Sequence, residues 1–184
     1  MDEDGTDEAE RVTEAIDGRS AWPEAERVTE AIDGRSAWPE AEGRYRLELT
    51  EPDEAVGMDV FATVLDLTPR SPETIVVDIE LGRRDTLTGD RQTALERLAA
   101  NPGVTAGTDR TSGTAPAGME TVDALARLPG DALTHAVVLD EEGRAIVERR
   151  TRTTVRFALP ETGYEDATGQ LAPAVVDRIV RERG

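Results

Sequence analysis

Apolar and polar side chains alternate in two segments of the chain, 44–50 and 74–81, in the manner typical of half-buried β-strands. Between them, 56–68 is apolar at both odd and even positions in its second half, which favours a central or bulged strand. The proline-containing segment 68–73 has the composition of a turn. Together these patterns predict a three-stranded antiparallel meander.

The next part of the chain mixes helical and strand patterns. Residues 90–100 predict a helix, and 119–128 places apolar residues at every third position, as in a short amphipathic helix. The segment between them, 104–118, has no periodicity and predicts a mobile loop. Residues 133–140 and 144–150 flank a Glu-Glu-Gly sequence and predict a β-hairpin.

No turn residue interrupts 144–159, so the second arm of this hairpin is expected to continue as one long, bent strand. Residues 172–184 carry an apolar stripe at helical spacing, with Arg178, Arg181 and Arg183 placed to complement the dipole of a C-terminal helix. The predicted order is helix, three strands, one or two helices, two strands and helix. This order indicates an α+β domain in which helices cover one face of an antiparallel sheet of about five strands.

The first 42 residues differ from the rest in composition. They carry 14 acidic residues against four arginines, hence −10 of the total charge of −18. The sequence of 9–24 recurs without change at 25–40, and two residues of a third copy follow. We therefore predict an acidic, helical N-terminal extension, 1–42, joined near Gly43 to a single α+β domain that spans 43–184.

Each repeat predicts a short helix, with a proline suited to its first turn and a glycine suited to the left-handed position after its last turn. One hypothesis is a duplicated partner-binding arm that uses Trp22 and Trp38 as aromatic anchors. The alternative is a single docked helix with a solvated spare copy. The identity of the two copies favours this alternative.

The composition excludes several kinds of chemistry. All 21 basic residues are arginine, cysteine is absent and His135 is the only histidine. These counts rule out Schiff-base lysines, P-loop lysines, cysteine nucleophiles and Cys/His zinc sites. The acidic excess, the use of arginine and the scarcity of aromatic residues resemble proteins of salt-in halophiles, haloarchaea above all. The resemblance implies a surface whose self-repulsion is screened by concentrated salt.

The sequence predicts a cytoplasmic protein that uses no cofactor and no metal. The N-terminus lacks the basic region and apolar stretch of a signal peptide, and no run of about 18 apolar residues occurs. The lack of cysteine agrees with a cytoplasmic location. The negative charge would repel duplex DNA and anionic lipid, so neither is expected as a partner.

Arg150, Arg152 and Arg156 fall on one face of the predicted long strand. Such a stripe is suited to gripping a small anionic ligand, with the loop 104–118 as its lid. The alternative is a solvated face in which these arginines pair with acidic residues of neighbouring strands. His135 is expected to be a partly buried core residue with its hydrogen bonds satisfied, rather than a catalytic base.

Residues 120–150 resemble the opening helix and hairpin of roadblock-type dimerisation modules, which are non-catalytic scaffolds. The likeness covers about a sixth of the chain. It ends where the following residues turn strand-like, whereas such modules continue into another amphipathic helix. What it implies is homodimerisation through a sheet edge or a helix.

The sequence therefore favours a non-enzymatic interaction protein of a salt-adapted prokaryote, acting through a protein partner or as a homodimer. Trp22, Trp38 and the Arg150, Arg152 and Arg156 stripe are the expected contact residues. A small module that binds an anionic ligand on that stripe is the alternative.

The excess of negative charge predicts that stability rises with salt concentration. Because the Debye length falls from about 10 Å at 0.1 M to about 3 Å at 1 M salt, molar KCl should remove most of the self-repulsion that opposes folding. We expect the thermal unfolding midpoint to rise by about 10 °C or more between dilute buffer and molar KCl. Equal midpoints in the two solutions would contradict the halophilic interpretation.

Overall fold

The computed structural model describes residues 30–31, 35–49, 54–80, 89–127, 133–150 and 154–183. In these ranges the chain folds into eight strands and a set of helices around them. In chain order the elements are β1 (Gly43–Glu48), α1 (Glu54–Leu67), β2 (Pro72–Glu80), α2 (Asp90–Ala99), β3 (Val104–Ala106), β4 (Arg110–Pro116), α3 (Met119–Arg127), β5 (Leu133–Asp140), β6 (Ala145–Arg150), β7 (Thr154–Leu159), α4 (Glu161–Gln170), α5 (Pro173–Val176) and β8 (Ile179–Glu182).

The strands form one sheet in the order β3-β4-β2-β5-β6-β7-β1-β8, and each neighbouring pair is antiparallel. The prediction of an antiparallel sheet combined with several helices is confirmed. The expected number of about five strands is wrong, since the sheet has eight. Four segments account for the difference.

The segment 56–68, predicted as a strand, is most of helix α1. Its buried side chains Val60, Phe61 and Val64 recur at helical spacing and join the main core. An apolar run without strict alternation fits either element, so periodicity alone left this choice open. Contact of α1 with strands β6 and β7 of the finished sheet decides it.

The segment 104–118, predicted as a mobile loop, contains strands β3 and β4 at one end of the sheet. Thr111 and Ala115 are buried along β4, while most of their neighbours are small or partly exposed. Such short polar side chains give almost no hydrophobic alternation. Pairing with the strongly apolar β2 therefore makes this a strand, which local pattern could not show.

The continuous strand expected over 144–159 is instead a hairpin of β6 and β7, with Arg150 opposite Thr154. The connecting residues 151–153 lie outside the described part of the chain. Their sequence, Thr-Arg-Thr, contains none of the glycine, proline or asparagine that usually marks a tight turn. The sequence therefore contains no local signal for a reversal here.

The C-terminal helix expected over 172–184 is limited to the four residues of α5, and β8 follows it. Val180 and its neighbours pair with β1, where Arg46 lies opposite Val180. Branched side chains such as Val and Ile are well suited to this extended conformation. Helix α4, which the sequence analysis did not predict, has a polar composition with only Ala167 buried.

The other predicted elements agree with the structure. Side chains Tyr45, Leu47 and Leu49 are buried as the alternation predicts. The hairpin of β5 and β6 is present, and Gly143 at its turn has a φ of 72°, in the region that favours glycine. Helix α3 forms, but Met119, expected on its apolar stripe, is 90% exposed.

The two sheet faces are buried by different parts of the molecule. We call the face that carries Ile75, Val77 and Val138 the helix face, because these side chains form one core cluster with buried residues of α1, α2 and α3. The opposite face, called the second face, carries a smaller buried cluster. It comprises Val76, Val137, Leu139 and Ala145 of the sheet together with Ala31, and Trp38 packs against it.

The strand character of β4 can be tested at Gly113. Its φ of 144° disfavours other residues, and a Cβ there would collide with the backbone of Gly103 and Val104. We expect Gly113→Ala to lower the free energy of unfolding by about 2 kcal/mol in urea titrations in molar KCl. Gly118→Ala is the matched control, because a Cβ at Gly118 meets open space. Equal effects of the two substitutions would contradict the β3–β4 hairpin.

Candidate functional site

A groove of about 890 Å³ lies between the segment that leads into β1 and the last strand, β8. Trp38, Glu40 and Glu42 line it from the first segment, Arg44 lines it from β1, and Arg181, Glu182 and Arg183 line it from the second. We call it the Trp38 groove. It combines an aromatic side chain with several arginines, residue types that often dominate protein interfaces.

The wall that contains Trp38 is fixed by backbone hydrogen bonds. The Arg35 N–H donates to the Glu30 carbonyl at 2.7 Å, a bond across five residues that is typical of the end of a helix. The Ala145 N–H, at the start of β6, donates to the Ala37 carbonyl at 2.7 Å. The segment is thereby held against the second face, with the Trp38 ring on the apolar cluster there.

The end of this wall is anchored by Arg70, which follows α1 and is only 11% exposed. Its guanidinium lies 3.1 Å from both a Glu42 carboxylate oxygen and Asp140 Oδ2. It also donates to the carbonyl of Ala145 at 3.0 Å and to that of Ala158 at 3.4 Å. One buried guanidinium thus joins the entry to β1, the β5–β6 turn and β7. We call this group the Arg70 hub.

The pKa values of the two carboxyl groups of the Arg70 hub are shifted in opposite directions. Burial raises the pKa of Glu42 above its ordinary value, and attraction to Arg70 only partly offsets this. Burial also opposes ionisation of Asp140, but its bonds from the Arg144 backbone N–H and from Arg70 outweigh burial and lower its pKa. Asp140 is therefore the fixed negative charge of the hub.

The arginines of the Trp38 groove differ in their pairing. Arg181 lies 3.3 Å from Glu161, with both side chains more than half exposed, and its guanidinium carbon is 6.0 Å from the centre of the Tyr45 ring. Arg44 and Arg183 form no ion pair within 4 Å with any residue that the structure describes. The groove thus presents two arginines that have no carboxylate partner in the described ranges.

Beside the groove, β8 ends the sheet. It pairs with β1 on one side and has no strand on its other side within the described sheet. Val180, in the middle of β8, is 54% exposed and is one of two exposed large hydrophobic residues in the described ranges. An edge strand offers backbone N–H and C=O groups to another chain. Here that edge adjoins a groove lined by an aromatic side chain, three arginines and three glutamates.

The structure places the predicted contact residues in different locations. Trp38 lines the groove, whereas Trp22 and Arg152 lie outside the described residues. Arg156 donates to Glu182 at 2.9 Å and 3.1 Å, and Arg150 lies 3.4 Å from Glu148. Each described member of the stripe therefore contacts a carboxylate, Arg156 one on β8 and Arg150 one on its own strand, β6.

The lid proposed for that stripe, 104–118, is not positioned to close over it. Its strands β3 and β4 lie at the opposite end of the sheet from β7, with β2, β5 and β6 between β4 and β7. At about 4.8 Å per strand, this places β4 roughly 19 Å from β7. Pairing with β2 also holds β4 in the sheet. The mobile-lid prediction is therefore wrong for this segment.

His135 is buried and bonded, as expected of a core histidine. Its Nε2 lies 2.8 Å from Glu148 Oε1, and the two side chains are 7% and 1% exposed. On the neighbouring strand, buried Asp78 accepts hydrogen bonds from both Nε and Nη2 of Arg110. These pairs satisfy polar groups on the second face, where an unpaired charge would be costly.

The sequence pattern did not indicate a site role for three arginines of the groove. Arg44 counted only as the polar side of a strand, and Arg181 and Arg183 were assigned to the end of a helix. They meet because β1 and β8 pair across more than 130 residues of sequence, with Arg44 opposite Glu182. No local pattern encodes that pairing.

Comparisons with protein-family models, curated proteins and solved structures found no match to this chain. The likeness of 120–150 to roadblock-type modules therefore gains no support from them. No helix among the described residues is long and apolar enough to span a bilayer. Within those ranges, no group of three or more potential ligand side chains is arranged to hold a metal ion.

The Arg70 hub predicts how Asp140 contributes to stability at different pH values. Because its folded pKa is lowered below 3.8, ionised Asp140 stabilises the fold above that value, and this contribution is lost as the pH falls through the folded pKa. We expect Asp140→Asn to cost about 2 kcal/mol near pH 7 and progressively less in acid, measured by urea unfolding in molar KCl.

The control for this experiment is Asp123→Asn, since Asp123 pairs with Arg127 on the exposed surface of α3. This change should alter stability by less than about 0.5 kcal/mol at any pH. A cost of Asp140→Asn that stays constant from neutral to acidic pH would show that Asp140 acts through its shape and not its charge.

Proposed function

We propose that the chain is a non-catalytic interaction protein of a salt-adapted prokaryotic cytoplasm, acting through a protein partner or as a homodimer. The proposed contact surface is the Trp38 groove together with the outer edge of β8, called the Trp38–β8 surface from here on. One observation carries this proposal. The sheet ends in an edge strand with an exposed valine, directly beside a groove lined by tryptophan and arginine.

The edge of β8 supports recognition of an extended segment. A strand added to a sheet edge gains main-chain hydrogen bonds, while side-chain pockets beside the edge select its sequence. The other sheet edge, β3, has only three residues. β8 has four, and the Trp38 groove adjoins them. The β8 end of the sheet is therefore the better candidate.

Three arginines and three glutamates line the groove, and two of these arginines support a partner that supplies carboxylates. Arg44 and Arg183 have no carboxylate within 4 Å in the described ranges, and each can bind one through two parallel hydrogen bonds. In molar salt, where the Debye length is about 3 Å, only such close contacts survive screening. Affinity would then come mainly from contact with Trp38, Val180 and the strand edge.

The anionic-ligand alternative gains no support from the predicted stripe. Of Arg150, Arg152 and Arg156, the two described residues already contact the carboxylates of Glu148 and Glu182. A small anion would have to displace these carboxylates, which belong to the same sheet face. The interaction hypothesis requires no such displacement at the Trp38–β8 surface.

The experiment compares two substitutions of exposed apolar residues. Val180→Glu places a charge on the edge strand, and Met119→Glu places the same charge on α3, away from β8. Charges on an edge strand oppose pairing with another chain. We expect Val180→Glu to weaken self-association or partner binding at least about tenfold, and Met119→Glu to leave it unchanged.

Self-association is measured by sedimentation equilibrium in molar KCl. Partner binding is measured by quantitative capture from extracts of a salt-in halophile with the wild type and both variants as bait. A dimer or a captured protein lost only in Val180→Glu supports the proposal. A wild type that is monomeric and captures the same proteins as Val180→Glu contradicts it.

A further inference from the structure

The second face of the sheet is covered by a segment whose sequence occurs twice in the chain. Ala31 is fully buried on the apolar cluster of Val76, Val137, Leu139 and Ala145, and Trp38 packs against the same cluster. Further along, the Ala37 carbonyl accepts from the Ala145 N–H and Glu42 pairs with Arg70. These four contacts define the docking site of the segment.

Each of these contacts has an equivalent residue in the first copy. Residues 9–26 are identical to 25–42 over all their positions, because the second repeat is followed by Ala41 and Glu42 just as the first is followed by Ala25 and Glu26. The residues equivalent to those that make the contacts are Ala15, Ala21, Trp22 and Glu26. The site therefore has no side-chain basis for preferring one copy.

We propose that this site accepts either copy of the repeat, and that residues 14–26 of the same chain fill it when the second copy is displaced. The docked segment is then an exchangeable element rather than a fixed part of the domain. The first copy is a second ligand for the site, tethered to it by the chain.

Chain connectivity decides which copy occupies the site in the native protein. The second copy leads directly into β1, since Glu42 is followed by Gly43. If the first copy docked, residues 27–42 would form a loop of 16 residues between Glu26 and Gly43. Closing such a loop lowers the population of molecules with the first copy docked by a factor of about 60, taken as the three-halves power of the loop length. The second copy is the favoured occupant by roughly that factor.

A defect in the second copy reverses this preference. Trp38 is partly buried on the apolar cluster, and replacing it by alanine removes this packing, which weakens docking of the second copy by a factor of about 100 and exceeds the loop penalty. The intact first copy then becomes the better occupant. The repeat of a second molecule competes poorly for the site at micromolar protein concentration. The reason is that a short tether gives the first copy of the same chain an effective concentration of about millimolar.

The two tryptophans allow the exchange to be observed, because each copy contains one and the chain has no other. In Trp22→Ala the remaining Trp38 reports the docked second copy through its emission maximum and its resistance to acrylamide quenching. In Trp38→Ala we expect Trp22 to acquire the same blue-shifted emission and the same resistance. The triple comparison uses Ala15→Glu/Trp38→Ala, in which a charge at the position equivalent to buried Ala31 blocks the first copy.

The expected result is a quenching constant for Trp22 at least about threefold lower in Trp38→Ala than in Ala15→Glu/Trp38→Ala. A second route of displacement, Ala31→Glu/Trp38→Phe, must give the same protection of Trp22. Equal quenching of Trp22 with and without Ala15→Glu overturns the proposal. Protection that grows with protein concentration also overturns it, since the occupant would then be the repeat of a second molecule.

Discussion

The central strands of this sheet are apolar on both faces, and most of the architecture follows from the need to cover both. All five residues from Ile75 to Ile79 in β2 are buried, and so are Ala136 to Leu139 in β5. Antiparallel sheets commonly leave one face to water, which this sequence does not permit. Buried residues of helices α1, α2 and α3 share one core cluster with the helix face. On the second face, Ala31 and Trp38 cover the apolar cluster, and the bonds that hold them there also form the wall of the Trp38 groove.

The charged residues of this protein differ in where they lie and in how they are paired. The excess of acid is concentrated at the N-terminus, whereas arginines of the sheet contact carboxylates of the sheet, as Arg156 does with Glu182 of β8 and Arg150 with Glu148 of its own strand, β6. Two largely buried charges, Arg70 and Asp140, each make several contacts in the Arg70 hub. Removing water strengthens such bonds and also penalises any group left unpaired. Arg44 and Arg183 depart from this arrangement, and both line the same groove.

The sequence predicted those elements that are determined by interactions within one segment, and it did not predict those that depend on pairing between distant segments. β1, the β5–β6 hairpin and helix α2 were predicted because alternation, a glycine turn and helical spacing lie within each segment. The strand in 110–116 could not be predicted, since its small polar residues become a strand only by pairing with β2. The same holds for the site. Trp38 stands out in the sequence as an aromatic residue in a repeat, whereas Arg44 and Arg183 gain meaning only when β8 joins β1 at the end of the sheet.

The place of the duplication in the chain explains why it is compatible with this fold. The extra 16 residues lie upstream of the docked copy, so they leave the direct connection from Glu42 to β1 and every contact of the second face unchanged. Had the same residues been inserted between the docked copy and β1, the chain would have to close a loop across the Arg70 hub, at a cost that grows with the logarithm of its length. Two identical segments thus face one site, and their contacts cannot tell them apart. Because the contacts are the same, the order of the two copies along the chain determines which copy occupies the site on the second face.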